Sequence, residues 1–248
     1  MKTINKLLLI FLTMSSTSFA QEHNILRIGH RGAMGHITEN TVESIQKAID
    51  LNCDVIEIDV FKIKSGELMV FHDDQLDRLT NVTGNIEDYT YNELQKVKVN
   101  GVYQIPTLEK IIETIDRKAV LNIELKGNNT AKETHQLIQL FINKGWTNTD
   151  FIISSFKWNE LEKMRSLNNS IDIAVLTEEE PADAIAFAKQ INAVAINPYH
   201  KDLNALNASK IREANLKIYP WTVNDQEDIN RMKELKVDGI ITNYPERI

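Results

Sequence analysis

The length, composition and charge of the chain restrict the classes of protein to which it can belong. Of its 248 residues, 42% are hydrophobic and 25% are charged, which indicates a globular domain and excludes a disordered or fibrous chain. The 28 basic and 35 acidic side chains give a net charge of −7, which argues against nucleic acid as a partner because phosphate backbones select basic surfaces. The single cysteine, Cys53, excludes an intramolecular disulfide and a cysteine-based zinc site.

The first twenty residues are typical of a secretory signal peptide. Two lysines precede an apolar run at 7–14, and small residues occupy Ser18 and Ala20, the two positions that a signal peptidase reads. We therefore expect cleavage after Ala20 and an exported protein, periplasmic or secreted, whose mature chain at 21–248 is a single domain. The apolar run is too short to span a bilayer and no cysteine follows the cleavage site, so no stable membrane anchor is expected. A buried N-terminal helix is the alternative.

The rest of the chain alternates short runs rich in isoleucine and valine with longer amphipathic stretches. The apolar runs predict nine β-strands, at residues 25–28, 55–63, 68–71, 119–125, 151–154, 171–176, 193–196, 218–223 and 239–242. The amphipathic stretches predict seven helices, at residues 41–51, 107–115, 132–143, 158–167, 182–191, 206–214 and 226–235. This repeated order predicts parallel strands with helices packed on their outer side.

We expect a closed (β/α)8 TIM barrel, because the alternation continues to the C-terminus and no glycine-rich dinucleotide turn favours an open doubly wound sheet. Only residues 64–67 separate the second and third strands, too few for a crossover helix, so we expect this pair to form a hairpin. The polar segment at about 74–105 shows neither the hydrophobic period of a strand nor that of a helix, and we expect it to form a small insertion above the barrel mouth. Since the sequence stops at Ile248, we expect the last barrel helix to be absent or vestigial.

Two of the predicted strands carry acidic side chains on one face. Glu57 and Asp59 are two residues apart and so project from the same face of a strand, as Asn122, Glu124 and Lys126 do on another. Unpaired carboxylates inside a barrel are strongly unfavourable, so we expect a cation beside them. Carboxylates are hard ligands that suit Mg²⁺ or Ca²⁺ better than Zn²⁺. An amphipathic strand with its acids in water is the alternative.

Two histidines end separate predicted strands, where barrel enzymes place catalytic groups. His30 follows the first strand and His72 follows the third, and an imidazole can act as either acid or base near neutral pH. Arg31 offers a guanidinium fork that matches phosphate oxygens, and Lys126 adds a point charge on a carboxylate-bearing strand. This combination indicates phosphoryl chemistry.

Nine short motifs then stand in a fixed order between residues 28 and 245: HRG at 30–32, ENT at 39–41, EIDV at 57–60, HD at 72–73, LT at 79–80, PTLE at 106–109, ELK at 124–126, WTVN at 221–224 and DGIIT at 238–242. Through this ordered set, which covers nearly the whole mature chain, the sequence resembles the glycerophosphodiester phosphodiesterase family. That family belongs to the broader group of phospholipase-C-like barrel phosphodiesterases. Two positions depart from its pattern: Thr38 stands where proline is usual, and Asn243 where aspartate is usual.

The resemblance implies a catalytic pair and a metal site. In the family, the histidines that match His30 and His72 are the acid and base, and the carboxylates that match Glu57, Asp59 and Glu124 hold a divalent metal, here Mg²⁺ or Ca²⁺.

The resemblance also implies how substrate is bound. Arg31 and Lys126 would bind phosphate, and Trp221 would form a wall beside the glycerol or the alcohol. Glu39 and Asp73 would each either orient a histidine or stabilise a turn.

The implied activity is the metal-dependent hydrolysis of small-molecule glycerophosphodiesters to glycerol 3-phosphate and an alcohol. One alternative is a phospholipase-like phosphodiesterase that acts on lyso- or intact phospholipids, and another is a non-catalytic barrel that binds a phosphate ligand. Which histidine is the base and whether a cyclic phosphate forms both stay open at this point, as do the head group and the oligomeric state.

Overall fold

The computed structural model describes residues 24–248. The predicted signal peptide at residues 1–20 lies outside the described residues. Between Asn24 and Ile248, no helix has the length and apolar character needed to cross a membrane.

The described residues form eleven strands and eight α-helices. The strands are β1 Leu26–Gly29, β2 Val55–Lys62, β3 Leu68–Val70, β4 Lys98–Val99, β5 Tyr103–Gln104, β6 Val120–Leu125, β7 Phe151–Ser155, β8 Asp172–Thr177, β9 Ala195–Pro198, β10 Lys217–Ile218 and β11 Gly239–Thr242. The helices are α1 Val42–Asp50, α2 Tyr91–Leu94, α3 Leu108–Ile115, α4 Ala131–Ile142, α5 Trp158–Leu167, α6 Ala184–Gln190, α7 Ala205–Glu213 and α8 Gln226–Glu234. All nine predicted strands and all seven predicted helices are present.

Eight parallel strands form a barrel in the order β10-β9-β8-β7-β6-β2-β1-β11. The two ends of this order meet, because the Val223 amide donates to the Ile241 carbonyl at 2.9 Å and the Ile241 amide donates to the Pro220 carbonyl at 3.0 Å. The prediction of a (β/α)8 TIM barrel is therefore confirmed. The prediction of a hairpin is also confirmed, since β3 pairs antiparallel with β2 and places Val70 opposite Val60.

The strand at 218–223 is shorter than predicted, because only Lys217 and Ile218 pair in regular register with β9. Beyond them, the Tyr219 and Trp221 amides still donate to β9 carbonyls, both at 3.1 Å, so the pairing continues without a regular strand. Within the described residues, the last strand is followed by a 3₁₀ turn at Pro245–Arg247.

Alternation along the strands separates two apolar regions. Ile56 and Ile58 of β2 belong to the large cluster between the barrel and its helices. The opposite face of the strands fills the barrel interior, where Ile28, Ile152 and Tyr219 belong to a second cluster. Burying this apolar surface stabilises the fold by about 25 cal/mol per Å². The carboxylates at positions 57, 59 and 124 share the inward face.

The segment at 74–105 contains two 3₁₀ turns, α2 and the β4–β5 ribbon. It packs around an apolar cluster of its own, in which Leu76, Ile86 and Leu94 meet Phe61 and Met69 of the β2–β3 hairpin. No helix or strand in this segment exceeds four residues, so neither period can develop in its sequence.

Candidate active site

A cavity of about 470 Å³ opens among the C-terminal ends of the barrel strands. It brings together seven of the residues that the sequence singles out: His30, Arg31, Glu57, His72, Glu124, Lys126 and Trp221. Asp59, which is 1% exposed, lies beside them through its register with Glu124 on the neighbouring strand. Enzymes built on parallel barrels hold their active sites at this end.

Three buried carboxylates form one cluster beneath the cavity. Each of Glu57, Asp59 and Glu124 offers an oxygen that lies within 4.8 Å of the oxygens of the other two. Burial and the neighbouring negative charges raise the pKa of Glu57 well above its usual range and the pKa of Glu124 to about 8. In addition, Glu57 Oε1 is buried without a hydrogen-bond partner.

These observations fit a divalent cation. Arg31 and Lys126 lie beside the cluster, so three carboxylates, when all are ionised, face two cations and one negative charge stays uncompensated. A buried carboxylate oxygen without a donor is a ready ligand, and an all-oxygen set suits a hard metal ion.

Asp59 differs from the other two carboxylates because positive groups surround it. Burial alone would raise its pKa, but the charges of Arg31, His72 and Lys126 and a hydrogen bond from Asn40 bring the pKa below its usual value. The Arg31 Nε lies 3.4 Å from its carboxylate, and Asn40 Nδ2 donates to Oδ2 at 2.8 Å. Asp59 is therefore the anionic anchor of the cluster.

His72 lies between the Asp73 carboxylate and the Lys126 ammonium group. Its Nδ1 contacts Asp73 Oδ1 at 2.6 Å, and its Nε2 lies 3.2 Å from the Lys126 ammonium, which is also 3.3 Å from Glu124. An ammonium group can only donate, so in this arrangement Nε2 accepts and the ring is neutral with its proton on Nδ1. Burial and the neighbouring positive charges of Arg31 and Lys126 lower the pKa of His72, while the negative charge of Asp59 and the hydrogen bond to Asp73 offset part of that effect.

His30 has an amide partner instead of a carboxylate. Its backbone N–H donates to the Thr242 carbonyl, which fixes it between β1 and β11, and its Nδ1 contacts Asn243 Oδ1 at 2.7 Å. An amide oxygen accepts from Nδ1–H, which leaves Nε2 as the nitrogen available to a ligand. Burial, followed by the charge of Arg31, lowers the pKa of His30 to about 4. Asn243, which stands where the family pattern has aspartate, is thus the side-chain partner of His30.

Arg31 is held by three carboxylates, Glu57, Glu39 and Asp59. It adopts a positive φ of 50°, and its amide donates to Glu57 Oε2 at 2.8 Å. Its guanidinium contacts Glu39 at 2.7 Å. The next residue, Gly32, has a φ of 82°, and a Cβ there would lie 2.4 Å from Ser44 Oγ in α1, so only glycine fits.

Glu39 and Asp73 share a partner that the sequence does not reveal. Arg78 forms ion pairs with Glu39 at 2.7 Å and with Asp73 at 2.5 Å. Asp73 therefore contacts a histidine, His72, whereas Glu39 contacts Arg31 and Arg78. Sequence reasoning missed Arg78, although it directly precedes the LT motif at 79–80.

Asn40 and Thr38 show how the loop after β1 is fixed. Asn40 stands inside the ENT motif, and its amide contacts both the side chain and the backbone of Asp59, which is a role that the motif alone does not specify. Thr38 replaces the usual proline, and its Oγ1 accepts from Asn100 in the 74–105 segment at 2.9 Å. The Thr38 carbonyl accepts from the Thr41 hydroxyl, which also caps α1.

Trp221 forms one wall of the cavity. Its indole N–H donates to the Asn197 carbonyl at 2.9 Å, and its ring meets Phe156 edge-to-face with centroids 5.3 Å apart. Phe156 is 38% exposed and Glu178 is also exposed, so the outer rim of the cavity carries an aromatic ring and an acid.

Comparison with known proteins agrees with this geometry. A model of the glycerophosphoryl diester phosphodiesterase family matches residues 30–247. The chain is 34% identical to YhdW of Bacillus subtilis (strain 168) over 233 residues, which cover 89% of this chain and 95% of that protein. It is 31% identical over 235 residues to a glycerophosphodiester phosphodiesterase of Caldanaerobacter subterraneus subsp. tengcongensis, with 90% of this chain and 96% of that one covered.

The fold has solved counterparts as well. The structure of an Oleispira antarctica phosphodiesterase in complex with the product sn-glycerol-3-phosphate has a TM-score of 0.82 and 26% identity to this chain, and the match covers 89% of this chain and 94% of that one. The motifs, the barrel and these similarities agree, and the chain belongs to the glycerophosphoryl diester phosphodiesterase family.

Proposed function

We propose that this protein hydrolyses glycerophosphodiesters to glycerol 3-phosphate and a free alcohol, with a divalent metal ion. The observation that carries the proposal is the presence of two histidines, two cationic side chains and a buried three-carboxylate cluster around one cavity. The related Caldanaerobacter protein is named for this activity, and the Oleispira phosphodiesterase binds sn-glycerol-3-phosphate as its product.

The metal ligands in this proposal are Glu57, Asp59 and Glu124, and the ion is Mg²⁺ or Ca²⁺. When bound, such an ion supplies Lewis-acid polarisation of a phosphate oxygen. The protein contributes the position of the three ligands: the register of β2 and β6 sets Asp59 beside Glu124, and the Arg31 amide orients Glu57.

Arg31 and Lys126 bind the phosphate. Both side chains lie at the cavity and are held by carboxylates, so they are positioned before a substrate arrives. Fixed donors of this kind stabilise charge that develops on phosphoryl oxygens in the transition state without having to reorganise.

His30 and His72 transfer the protons. The oxygen of a water molecule, or first the glycerol hydroxyl next to the phosphate, forms a bond to phosphorus and gives its proton to one imidazole. The bond from phosphorus to the alcohol oxygen breaks, and that oxygen takes a proton from the other imidazole. If the glycerol hydroxyl attacks first, water then adds to the cyclic phosphate and the bond from phosphorus to that hydroxyl oxygen breaks, with the two imidazoles in exchanged roles. His72, whose partner is the Asp73 carboxylate, holds a proton more readily than His30, whose partner is the neutral Asn243 amide. We therefore assign His30 as the base and His72, once Nε2 has taken up a proton, as the acid.

Export to the periplasm or the medium belongs to the same proposal, and it rests on the sequence of residues 1–20. Native protein purified from the exported fraction should begin at Gln21 by intact mass. Retention of Met1 in that fraction would contradict export by this signal.

Product analysis tests the proposed activity. With glycerophosphocholine and added Mg²⁺ or Ca²⁺, ³¹P NMR should show glycerol 3-phosphate with release of choline. Phosphocholine with free glycerol would mean that the other ester bond is cleaved, and an unchanged substrate across a panel of head groups would favour a non-catalytic barrel.

A further inference from the structure

Three uncharged polar side chains inside the barrel lack partners although they are almost fully buried. Asn122, Ser154 and Asn197 are 3%, 1% and 0% exposed. Asn122 Oδ1, Ser154 Oγ and both amide atoms of Asn197 form no hydrogen bond. Buried polar atoms normally have partners, because an unsatisfied donor or acceptor destabilises the folded state. Something outside the protein therefore completes these groups.

All three side chains line the cavity that contains the histidines and carboxylates. Ser154 on β7 is the register partner of Glu124, and Asn197 on β9 is the register partner of Leu176 on the strand between them. In the barrel order, β7 and β9 each lie three strands away from β1, on opposite sides. Ser154 and Asn197 are thus across the barrel from His30 and Arg31, which follow β1, whereas Asn122 on β6 is the register partner of Glu57.

The chemistry of the three groups selects the ligand. A hydroxyl and two primary amides provide both donors and acceptors and carry no charge, so they match hydroxyl groups rather than a phosphate, which the cationic side chains Arg31 and Lys126 attract. Trp221 lies over this side, because its indole N–H donates to the Asn197 carbonyl. The site is therefore a polar recess beside an aromatic wall.

We propose that Ser154 and Asn197, together with Asn122, bind the hydroxyl of the glycerol moiety that is furthest from the phosphate. This inference rests on the proposed function. In this binding mode the glycerol lies inside the barrel and the alcohol points toward the rim at Phe156 and Glu178. A diester acylated on the terminal hydroxyl, such as a lysophospholipid, should therefore be a poor substrate, because the acylated oxygen has no proton to donate to the recess and the acyl chain has no room there.

A pair of substrates that differ in this one hydroxyl tests the inference. The first is the p-nitrophenyl diester of glycerol 3-phosphate, and the second is the corresponding diester of propane-1,2-diol, which keeps the hydroxyl next to the phosphate and lacks only the terminal one. For the metal-loaded wild-type protein, kcat/KM should be about 10- to 100-fold lower for the second substrate, because the recess is then left unpaired.

The variants Ser154→Ala and Asn197→Leu should lose that discrimination. Each should lower kcat/KM for the glycerol diester and leave the value for the propanediol diester nearly unchanged. Ser155→Ala is the matched control, because the Ser155 hydroxyl already donates to the Leu125 carbonyl and accepts from the Lys157 amide. Ser155→Ala should lower the melting temperature and change kcat/KM for both substrates by the same factor.

Product binding gives a readout that does not depend on turnover. Calorimetry should show tighter binding of glycerol 3-phosphate than of propane-1,2-diol 1-phosphate to the wild-type protein, and equal binding of the two to Ser154→Ala. Equal binding by the wild-type protein, or an equal loss on both substrates in the two variants, would overturn the inference and leave the recess as a site for internal water. If the wild-type protein cleaves neither diester, the proposed function fails, and the difference between the two binding affinities then decides by itself whether the recess binds the terminal hydroxyl.

Discussion

Arg78 holds Glu39 through both terminal nitrogens of its guanidinium, at 2.7 and 3.0 Å. The same side chain contacts Asp73 through Nε. Glu39 in turn contacts Arg31, and Asp73 contacts His72. Arg78, which belongs to the 74–105 segment, therefore connects the carboxylate beside Arg31 with the carboxylate beside His72. The segment above the barrel is therefore part of the support of the site.

Removal of Arg78 should impair turnover more than stability. In Arg78→Met, Glu39 and Asp73 lose their shared cation, so kcat/KM should fall roughly 10- to 100-fold, as is typical for groups that orient ligands and catalytic residues. Arg78 is 46% exposed at its side chain, so the melting temperature should change little. Arg78→Lys should recover only part of the activity because an ammonium cannot form the two-nitrogen contact.

Arg212→Met is the matched control for Arg78, because Arg212 is exposed and donates to the Leu235 carbonyl outside the cavity. Its activity should equal that of the wild type. If the Arg78 and Arg212 variants have the same kcat/KM, the support role is wrong.

Metal binding should release a proton. With a pKa of about 8, Glu124 holds a proton at pH 7 in the metal-free protein, and a cation must displace it. The affinity for Mg²⁺ or Ca²⁺ should therefore decrease as the pH falls from 8 to 6. Calorimetric titrations in two buffers of different ionisation enthalpy measure the released proton, and identical apparent enthalpies in the two buffers would contradict this assignment.

The same raised pKa fixes the sign of the stability change. The folded protein binds this proton more tightly than the unfolded chain, so Glu124 makes metal-free stability decrease as the pH rises toward 8. The lowered pKa of His30 acts in the opposite direction up to its ordinary value of 6.5, so the net decrease is expected above that pH. A saturating cation should reverse the decrease, by about 2.7 kcal/mol at a hundredfold excess over Kd. Thermal melts with and without metal at several pH values between 6.5 and 8 check both signs.

The two histidines should be distinguishable by the leaving group. His30→Ala and His72→Ala should each lower kcat by roughly 10²- to 10⁴-fold with a natural alcohol as the leaving group. A p-nitrophenolate leaving group needs little protonation, so it should restore turnover to the variant that lacks the acid, His72→Ala, and not to His30→Ala. Rescue of His30→Ala instead would exchange the two roles, and near-native turnover of both variants would remove both residues from proton transfer.

Substitution of Asn243, the partner of His30, should raise the pKa of that histidine instead of removing the side chain. In Asn243→Asp, a carboxylate replaces the amide 2.7 Å from Nδ1 and stabilises the protonated ring, so the pKa of His30 should rise from about 4. Because a base must be neutral to accept a proton, the acidic limb of the pH profile of kcat/KM should move to higher pH. Asn243→Ala should lower activity without this displacement, and an unmoved limb in Asn243→Asp would contradict the role of the amide.

Local patterns were enough to predict the barrel and the inward carboxylates. Alternation along β2 and β6 places Glu57, Asp59 and Glu124 on one face, and the short 64–67 connection leaves the hairpin as the one arrangement of β2 and β3. These features depend on residues within a few positions of each other, which a sequence displays directly.

The side-chain partners could not be predicted, because they depend on contacts between distant parts of the chain. His30 and Asn243 are 213 positions apart and meet only because β1 pairs with β11. Arg78 reaches Glu39 across 39 positions from a segment whose elements are too short to have a period. The recess at Ser154 and Asn197 likewise emerges only when the strands close into a barrel.

The metal dependence of product formation tests the central claim most directly. Protein that has been exhaustively chelated should release no glycerol 3-phosphate from a glycerophosphodiester, measured by ³¹P NMR. Addition of Mg²⁺ or Ca²⁺ should restore release in the wild type and fail to restore it in Glu57→Gln, which keeps the shape of the residue and removes its charge. Full turnover after chelation, or full turnover of Glu57→Gln, would contradict the account of this site.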